Sequence, residues 1–453
     1  MECFESLVAA INNAIWGAPL IVAILAIGIY FSFNLGILRP SRLKLSVKYA
    51  LEEGDGHGEI SIFASLCAAL SGTIGTGNIT GIAVAIASGG PGALFWLWLS
   101  SIFSFAIKYA EGLLAIKYRS IESNGTISGG PMYYIENGLQ NKRLAKILAK
   151  IFSIGGMLVA LIGIGTLAQS NSISIALGSW GIPTIPAAFA IVVAVAAVVL
   201  GGLRRIAAVS EKIVPIMTIF YVGAAVVALI INYSAIPNAF RLIFTGAFSP
   251  ESILGGGLGA TVAQVASIGV RRGIFSHESG LGSSAIAGAT AKVDSSVKQG
   301  FASILGAALS VIICTMTGIV LIVAASQTGL FTSAPILEGA RLTSYSFGCC
   351  LGNFALGKYA VEISMALFAF TTIIAWNYYG KKCARYVFGD KAIAPYNFLF
   401  LFFVAIGPFF RVNAIFDLAD IAIGIMAIAN LIGLVMLRKV AIAETKAFFR
   451  GGK

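Results

Sequence analysis

The chain has 453 residues, of which 58% are hydrophobic and 11% charged, with a formal net charge of +12 and a mean hydropathy of +0.91. Soluble globular domains carry about a quarter of their residues as charged ones; half that share leaves too little polar surface for a water-soluble particle and indicates a polytopic membrane protein. The Lys and Arg fall in short clusters between apolar runs, a pattern of topology and not of nucleic-acid binding, and the six cysteines show neither metal-ligand spacing nor a secreted disulfide framework.

In chain order, apolar runs divide into eleven predicted spans at about 15–37, 60–88, 91–117, 146–177, 182–203, 211–233, 256–290, 297–327, 355–381, 393–411 and 416–438. Most of these can cross about 30 Å of hydrocarbon as a helix. The first lacks a basic leader and a small-residue cleavage site, so it reads as a retained span. Spans two, four and seven are longer than a straight crossing needs, which means tilt, extension or a break. With the N-terminus outside, 24 Lys and Arg fall on the cytoplasmic side and 4 on the outer side. That bias predicts an outer N-terminus and a cytoplasmic C-terminus. Lys108, Arg271 and Arg272 fall deeper, within spans.

Span two contains "SGTIGTGNITG" (71–81), with four glycines and three threonines where a membrane helix favours Leu and Val. A nucleotide loop fails on spacing, since the third glycine of G-x-G-x-x-G would fall at Thr80, and no α/β strand precedes it. A potassium-type filter needs four copies around a pore, and "TIGTG" occurs once. A helix broken in mid-membrane remains. Irregular backbone at that depth is tolerated where it lines a cavity, and transporters with inverted repeats carry such breaks at matching places in both halves. Span seven supplies the match in "ASIGVRRGIFSHESGLGSSAIAGA" (266–289), five spans later. Two five-span halves have opposite topology, with span one left as an appendage. The alternative is a pair of close-packing glycine seams. An intramembrane zinc enzyme is disfavoured because His277-Glu278 begins H-E-x-x-H but Leu281 ends it.

Four motifs, "SGTIGTGNITGIAVAIASGGPGALFWLWLSS" (71–101), "GGPMYYI" (129–135), "GVRRGIFSHESGLGSS" (269–284) and "TIIAWNYYG" (372–380), closely resemble the alanine or glycine:cation symporter family. The likeness runs from about Asp55 to the last span. His277 and Ser279 stand in "FSHESG" where many members resemble "FSNEAG", which leaves the His277 ring without an expected role.

The resemblance implies an all-α membrane protein with a leucine-transporter-like fold. Its ten-helix core would occupy 56–440, as inverted repeats 56–235 and 250–440. An extra N-terminal helix with its connection (1–55) would precede the core, and a cytoplasmic tail (441–453) would follow it. It implies sodium-coupled uptake of alanine, glycine or both across the cell membrane, with Na+ as coupling ion and neither an organic cofactor nor an obligate protein partner. Proton coupling is the alternative, a channel the more distant one. A half-helix N-terminus carries partial positive charge and free N–H donors. The amides of Thr76 and Gly77 are therefore the expected carboxylate donors, aided by the Asn78 side chain. Gln169 is a candidate contact from span four, or an interhelical hydrogen bond. Backbone near Gly273, Ile274 and Phe275 is expected to cap the substrate, and Trp376 to wall the pocket. By resemblance, sodium is held by the hydroxyls of Thr371 and Thr372 and the carbonyls of Ser71, Ile74 and Phe368. Ser276 is expected to N-cap the second half of span seven, with Glu278 in its first turn. Arg271 and Arg272 are functional candidates by depth, with one pairing to Glu278 as an equal alternative. Lys108 and Glu111 read as a local pair near the cytoplasmic end of span three.

Overall fold

A computed structural model describes residues 10–12, 14–54, 56–121, 126–249, 261–329, 339–410 and 413–451. The starts expected for span seven and for the second repeat, and also Arg411 and Lys453, lie outside the described residues. Within them the chain is helical apart from one short antiparallel pair, Ser120–Ile121 with Ile127–Ser128.

The apolar runs become helices because every backbone polar group must be satisfied within its own segment in lipid. Among the described residues, eight helices are long and apolar enough to cross a membrane: Ala18–Leu35, Gly92–Lys117, Lys142–Gly178, Gly202–Ile231, Ser296–Thr328, Phe354–Phe388, Asp390–Phe409 and Ala419–Met436. Span two makes a ninth if its two pieces count together. Ile62–Thr73 and Thr76–Gly89 meet at a bend of 65°. Span five is a shorter apolar helix, Thr184–Val199. Span seven comprises Val262–His277 and Ser283–Gly288, separated by five residues.

Span three shows why this fold buries charge. From Ala106 to Leu114 its side chains are 0–3% exposed all round, the pattern of a helix enclosed by neighbours. It packs along spans eight, seven and one. By contrast, spans six and ten present Ile219 (72% exposed) and Phe398 (76%) outward, surfaces suited to lipid.

Span four is interrupted at 163–166 between Lys142–Ile162 and Leu167–Gly178. A Cβ at Gly165 would lie 2.9 Å from that of Trp376, so span nine presses on the interruption. Helices also form at Pro40–Ala50, Pro131–Gly138, Ile236–Phe248, Gly339–Cys350 and Arg438–Gly451. The last occupies the segment expected as a tail. Tyr109 and Thr445 hydroxyls meet at 2.8 Å, Lys117 pairs with Glu444 at 2.8 Å, and the Arg42 guanidinium lies 4.2 Å from the Phe449 ring.

The segment before span two and the segment after span seven run side by side. Ile60 and Ala291 form a parallel bridge, with Lys292 N–H donating to Ile60 O at 2.8 Å and Glu59 N–H to Thr290 O at 2.9 Å. Glycines at 54, 56 and 58 permit the approach, because a Cβ at each would fall within 2.5 Å of backbone or side-chain atoms of 291–294. Across this pair lies Arg119. Its guanidinium donates to the carbonyls of Ala289 (2.9 Å), Ala291 (2.8 Å), His57 (2.5 Å) and Val293 (3.2 Å).

Candidate functional site

The first half of span two starts where Ser61 accepts the Ala64 N–H, and ends at Thr73. Ile74 and Gly75 are extended, Thr76–Asn78 make one tight turn, and the helix resumes at Thr80. Small residues allow this path, and the break leaves donors free. No acceptor for the N–H of Thr76 or Gly77 occurs among the described residues. Gly77 is exposed to a cavity, and a Cβ there would meet nothing within 4 Å.

That cavity, about 630 Å³, is lined by Thr73, Thr76, Gly77, Gln169, Arg272 and Glu278 among others, and extends to Ser88 and Ile268. Gln169 accepts a hydrogen bond from the Thr76 hydroxyl at 3.1 Å. It therefore both lines the cavity and ties span four to span two.

Asn78 touches the cavity, but its amide is turned elsewhere. Its Nδ2 donates to Ser310 at 2.7 Å and Ser276 at 3.2 Å, and its Oδ1 accepts from Gly75 N–H at 3.4 Å. It joins the break of span two to spans seven and eight. Phe275 lines the cavity, stacked on Trp16 with ring centroids 4.6 Å apart. Three expected contacts are placed differently. Gly273 and Ile274 lie within regular helix, and a Cβ at Gly273 would meet Ser100 at 2.7 Å, on the side facing span three. Trp376 is fully buried against Tyr379 and is not among the lining residues.

The break in span seven explains this difference. It lies at 278–282, later than expected, because His277 continues the helix and Glu278 closes it in the left-handed region with φ 52°. Glu278 is the lone non-glycine residue with positive φ among the described residues, and such backbone persists where its surroundings over-determine it. Gly280 (φ 89°) and Gly282 (φ 75°) complete the turn, and Gly282, not Ser276, occupies the N-cap of the second half. Ser276 sits in the last turn of the first half, hydrogen-bonded to Ser310.

The buried ions hold this turn. Glu111 accepts from Gly280 N–H at 2.9 Å, Gly282 N–H at 3.1 Å and Asn430 Nδ2 at 2.7 Å. Lys108 donates to Glu278 O at 3.2 Å and stands 4.0 Å from Glu111. The expected local pair of Lys108 and Glu111 is present, and it lies buried in the protein core beside the break. Neither arginine pairs with Glu278, whose carboxylate accepts from Ser283 at 2.6 Å. Arg271 pairs with Asp420 at 2.8 Å, over the rings of Trp16 and Phe275, while Arg272 lines the cavity beside Gly81. His277 is fully buried, its Nδ1 accepting from Ser279 N–H at 3.2 Å.

Beside the cavity floor, span nine meets the end of the first half of span two. The Thr372 hydroxyl is 2.8 Å from Phe368 O and 3.4 Å from Ile74 O. Thr371 donates to its own helix at Phe368 O (3.0 Å) and Leu367 O (3.1 Å). Ser71 bonds to Cys67 O and to Ser210 and does not line the cavity. The structure therefore brings Thr372, Phe368 and Ile74 oxygens together, with Thr371 alongside and Ser71 a turn away. Sequence reading missed Asp420, although an acid in an apolar span marks a functional position by its cost. It also missed Arg119, whose role depends on folding.

Compared with known proteins, the chain matches the sodium:alanine symporter family over residues 1–453. The chain belongs to that family. It is 40% identical over 450 residues to "Sodium/alanine symporter AgcS" of Methanococcus maripaludis, covering 98% of this chain and 97% of that one. It is 44% identical over 449 residues to an uncharacterised transporter of Haemophilus influenzae, covering 98% and 96%. Its fold matches the crystal structure of MhsT in complex with L-phenylalanine, with a TM-score of 0.61 at 14% identity, covering 86% of this chain and 93% of that one. This member of the sodium:alanine symporter family is a multi-pass membrane protein and a cation-coupled amino-acid symporter.

Proposed function

We propose that this symporter couples sodium to the uptake of alanine, glycine or both into the cell by alternating access. The proposal includes an outer N-terminus, eleven spans in the cell membrane, and inverted repeats 56–235 and 250–440. The observation that carries it is the break in span two. Two N–H donors without acceptors face a cavity at the start of a half-helix, a few residues from a cluster of hard oxygens at Ile74, Phe368 and Thr372. Free N–H groups with the positive end of a helix dipole suit a carboxylate; oxygen ligands suit a hard cation. The name of the Methanococcus maripaludis relative supports the same pairing of sodium with alanine.

On this reading Thr76 and Gly77 hold the carboxylate, Gln169 and Phe275 shape the site, and Asn78 positions the break. Gly273, Ile274 and Trp376 support the cavity wall from behind. Sodium sits among Thr372, Thr371, Phe368 and Ile74, with Ser71 at the margin. The driving force suffices. One sodium moving down about 100 mV gains about 2.3 kcal/mol, and a tenfold gradient adds about 1.4 kcal/mol. Together they sustain roughly 500-fold accumulation of a neutral solute.

The test is uptake of labelled L-alanine into proteoliposomes with and without an inward sodium gradient. Sodium-driven accumulation above equilibrium is expected. Simple equilibration, or indifference to sodium, would overturn the coupling.

A further inference from the structure

We propose that Arg119 is a positioning residue for the transport cycle: it latches the inner ends of the two broken spans together while the cavity is reached from outside, and its release admits the cytoplasm. The inference rests on the alternating-access reading and on the orientation proposed with it.

The argument begins with valence. An arginine side chain offers five N–H donors in a rigid fork, and here two of its nitrogens serve four carbonyls, at His57, Ala289, Ala291 and Val293. Those carbonyls belong to two separate strands of chain. His57 precedes span two; the other three follow the second half of span seven. Arg119 itself leaves the end of span three, in a third element. The hydrogen bonds of this guanidinium go to backbone, and Asp294 on the second strand adds an opposite charge nearby; together they hold the two strands in register.

The strands are built for closeness. Gly54, Gly56 and Gly58 alternate along one of them, and any side chain on that face would strike 291–294. The backbone bonds at Glu59, Ile60 and Lys292 then continue the contact to the start of span two. The cavity above reaches Thr73 and Glu278 but none of these residues, so the latched segments lie beneath its floor. Both broken spans thus leave the cavity floor into one clamp. Opening the inner side requires their inner halves to part, and the bonds that must break first are those of Arg119 and the glycine face.

The experiment uses the full-length protein in inside-out vesicles, with a reporter cysteine at Ala69, on the inner half of span two. Its reaction with a membrane-impermeant maleimide is followed in sodium, against the protein lacking the reporter. In Arg119→Ala the labelling rate should rise at least roughly tenfold, the shift expected when about 1.4 kcal/mol of latch energy is lost. Arg119→Lys, which keeps charge and some donors, should recover part of the protection. Gly56→Ala leaves Arg119 intact but separates the strands, and should raise labelling as well; it keeps the proposal testable if Arg119→Ala is poorly produced. Labelling at the parental rate in well-folded Arg119→Ala or in Gly56→Ala would overturn the latch. Alanine uptake by the parent protein is measured separately, so loss of the symporter reading and loss of the latch are distinguishable.

Discussion

Removing both charges of the buried Lys108–Glu111 pair together should cost less than the sum of removing each alone. Glu111→Ala deletes the acceptor of three hydrogen bonds, from Gly280, Gly282 and Asn430, and leaves an ammonium 4.0 Å away without its counter-charge. A hydrogen bond to a charged group is worth about 1.5–3 kcal/mol, and breaking a buried ion pair from one side costs about 3–5 kcal/mol. One carboxylate serves all these partners, so the terms overlap and do not sum; the expected loss is about 4 kcal/mol. Glu111→Gln keeps an acceptor of similar shape and loses the charge, for about 2 kcal/mol. Lys108→Met strands Glu111 and removes the bond to Glu278 O. In Lys108→Met with Glu111→Gln neither member of the pair is left stranded by the other. Glu278 loses the nearby ammonium in the double variant as it does in Lys108→Met alone, so that cost cancels, and the double variant should be more stable than the sum of the singles by at least about 1 kcal/mol. The assay is unfolding of purified protein in detergent, with alanine uptake measured in parallel. Since Glu111 fixes the turn of span seven, Glu111→Ala should also abolish uptake by the protein that remains folded. Additivity within about 0.5 kcal/mol would refute the pairing argument.

Thr372→Val, which keeps shape and removes the hydroxyl, should raise half-saturating sodium about tenfold while leaving the alanine KM at saturating sodium unchanged; unaltered sodium dependence would remove Thr372 from the cation site. Gly77→Ala meets no atoms in the protein, so thermal stability should hold, while competition assays should show a shift toward glycine over alanine. Asn78→Ala should abolish uptake by loosening the break from Ser276 and Ser310; retained uptake would show that these bonds are dispensable.

The broken helix was legible because glycine, serine and threonine clustered where lipid demands apolar residues, and the same composition marked span seven. The position of the second break was not. Backbone near Gly273 is expected at the cavity, yet its missing side chain serves contact with Ser100, and the helix runs on until Glu278 adopts a left-handed conformation that sequence propensity disfavours. Tertiary bonds from Lys108 and Glu111 impose that geometry, and nothing local announces them. The cation oxygens at Ile74, Phe368 and Thr372 came within reach through the family resemblance. Trp376 was expected at the cavity because aromatics suit pocket walls, but the interruption at Gly165 in span four accepts it instead. The span-five helix and the first helix of span seven are each 16 residues long, short of the roughly 20 that cross the hydrocarbon unaided, so the apolar pattern alone marks them weakly.

The helix Arg438–Gly451 carries a consequence for how the protein is made. Its contacts reach back to Arg42, Tyr109 and Lys117, segments that leave the ribosome long before it does. At about 5–20 residues per second, the Arg42 side chain waits roughly 20–80 s for Phe449. Spans one and three must therefore insert and persist with the faces that this helix covers left bare until it emerges. Truncation before Arg438 would leave those faces bare for the protein's whole lifetime, exposing Tyr109 and Phe301 to quality control even though every span of the transport pathway had already been inserted.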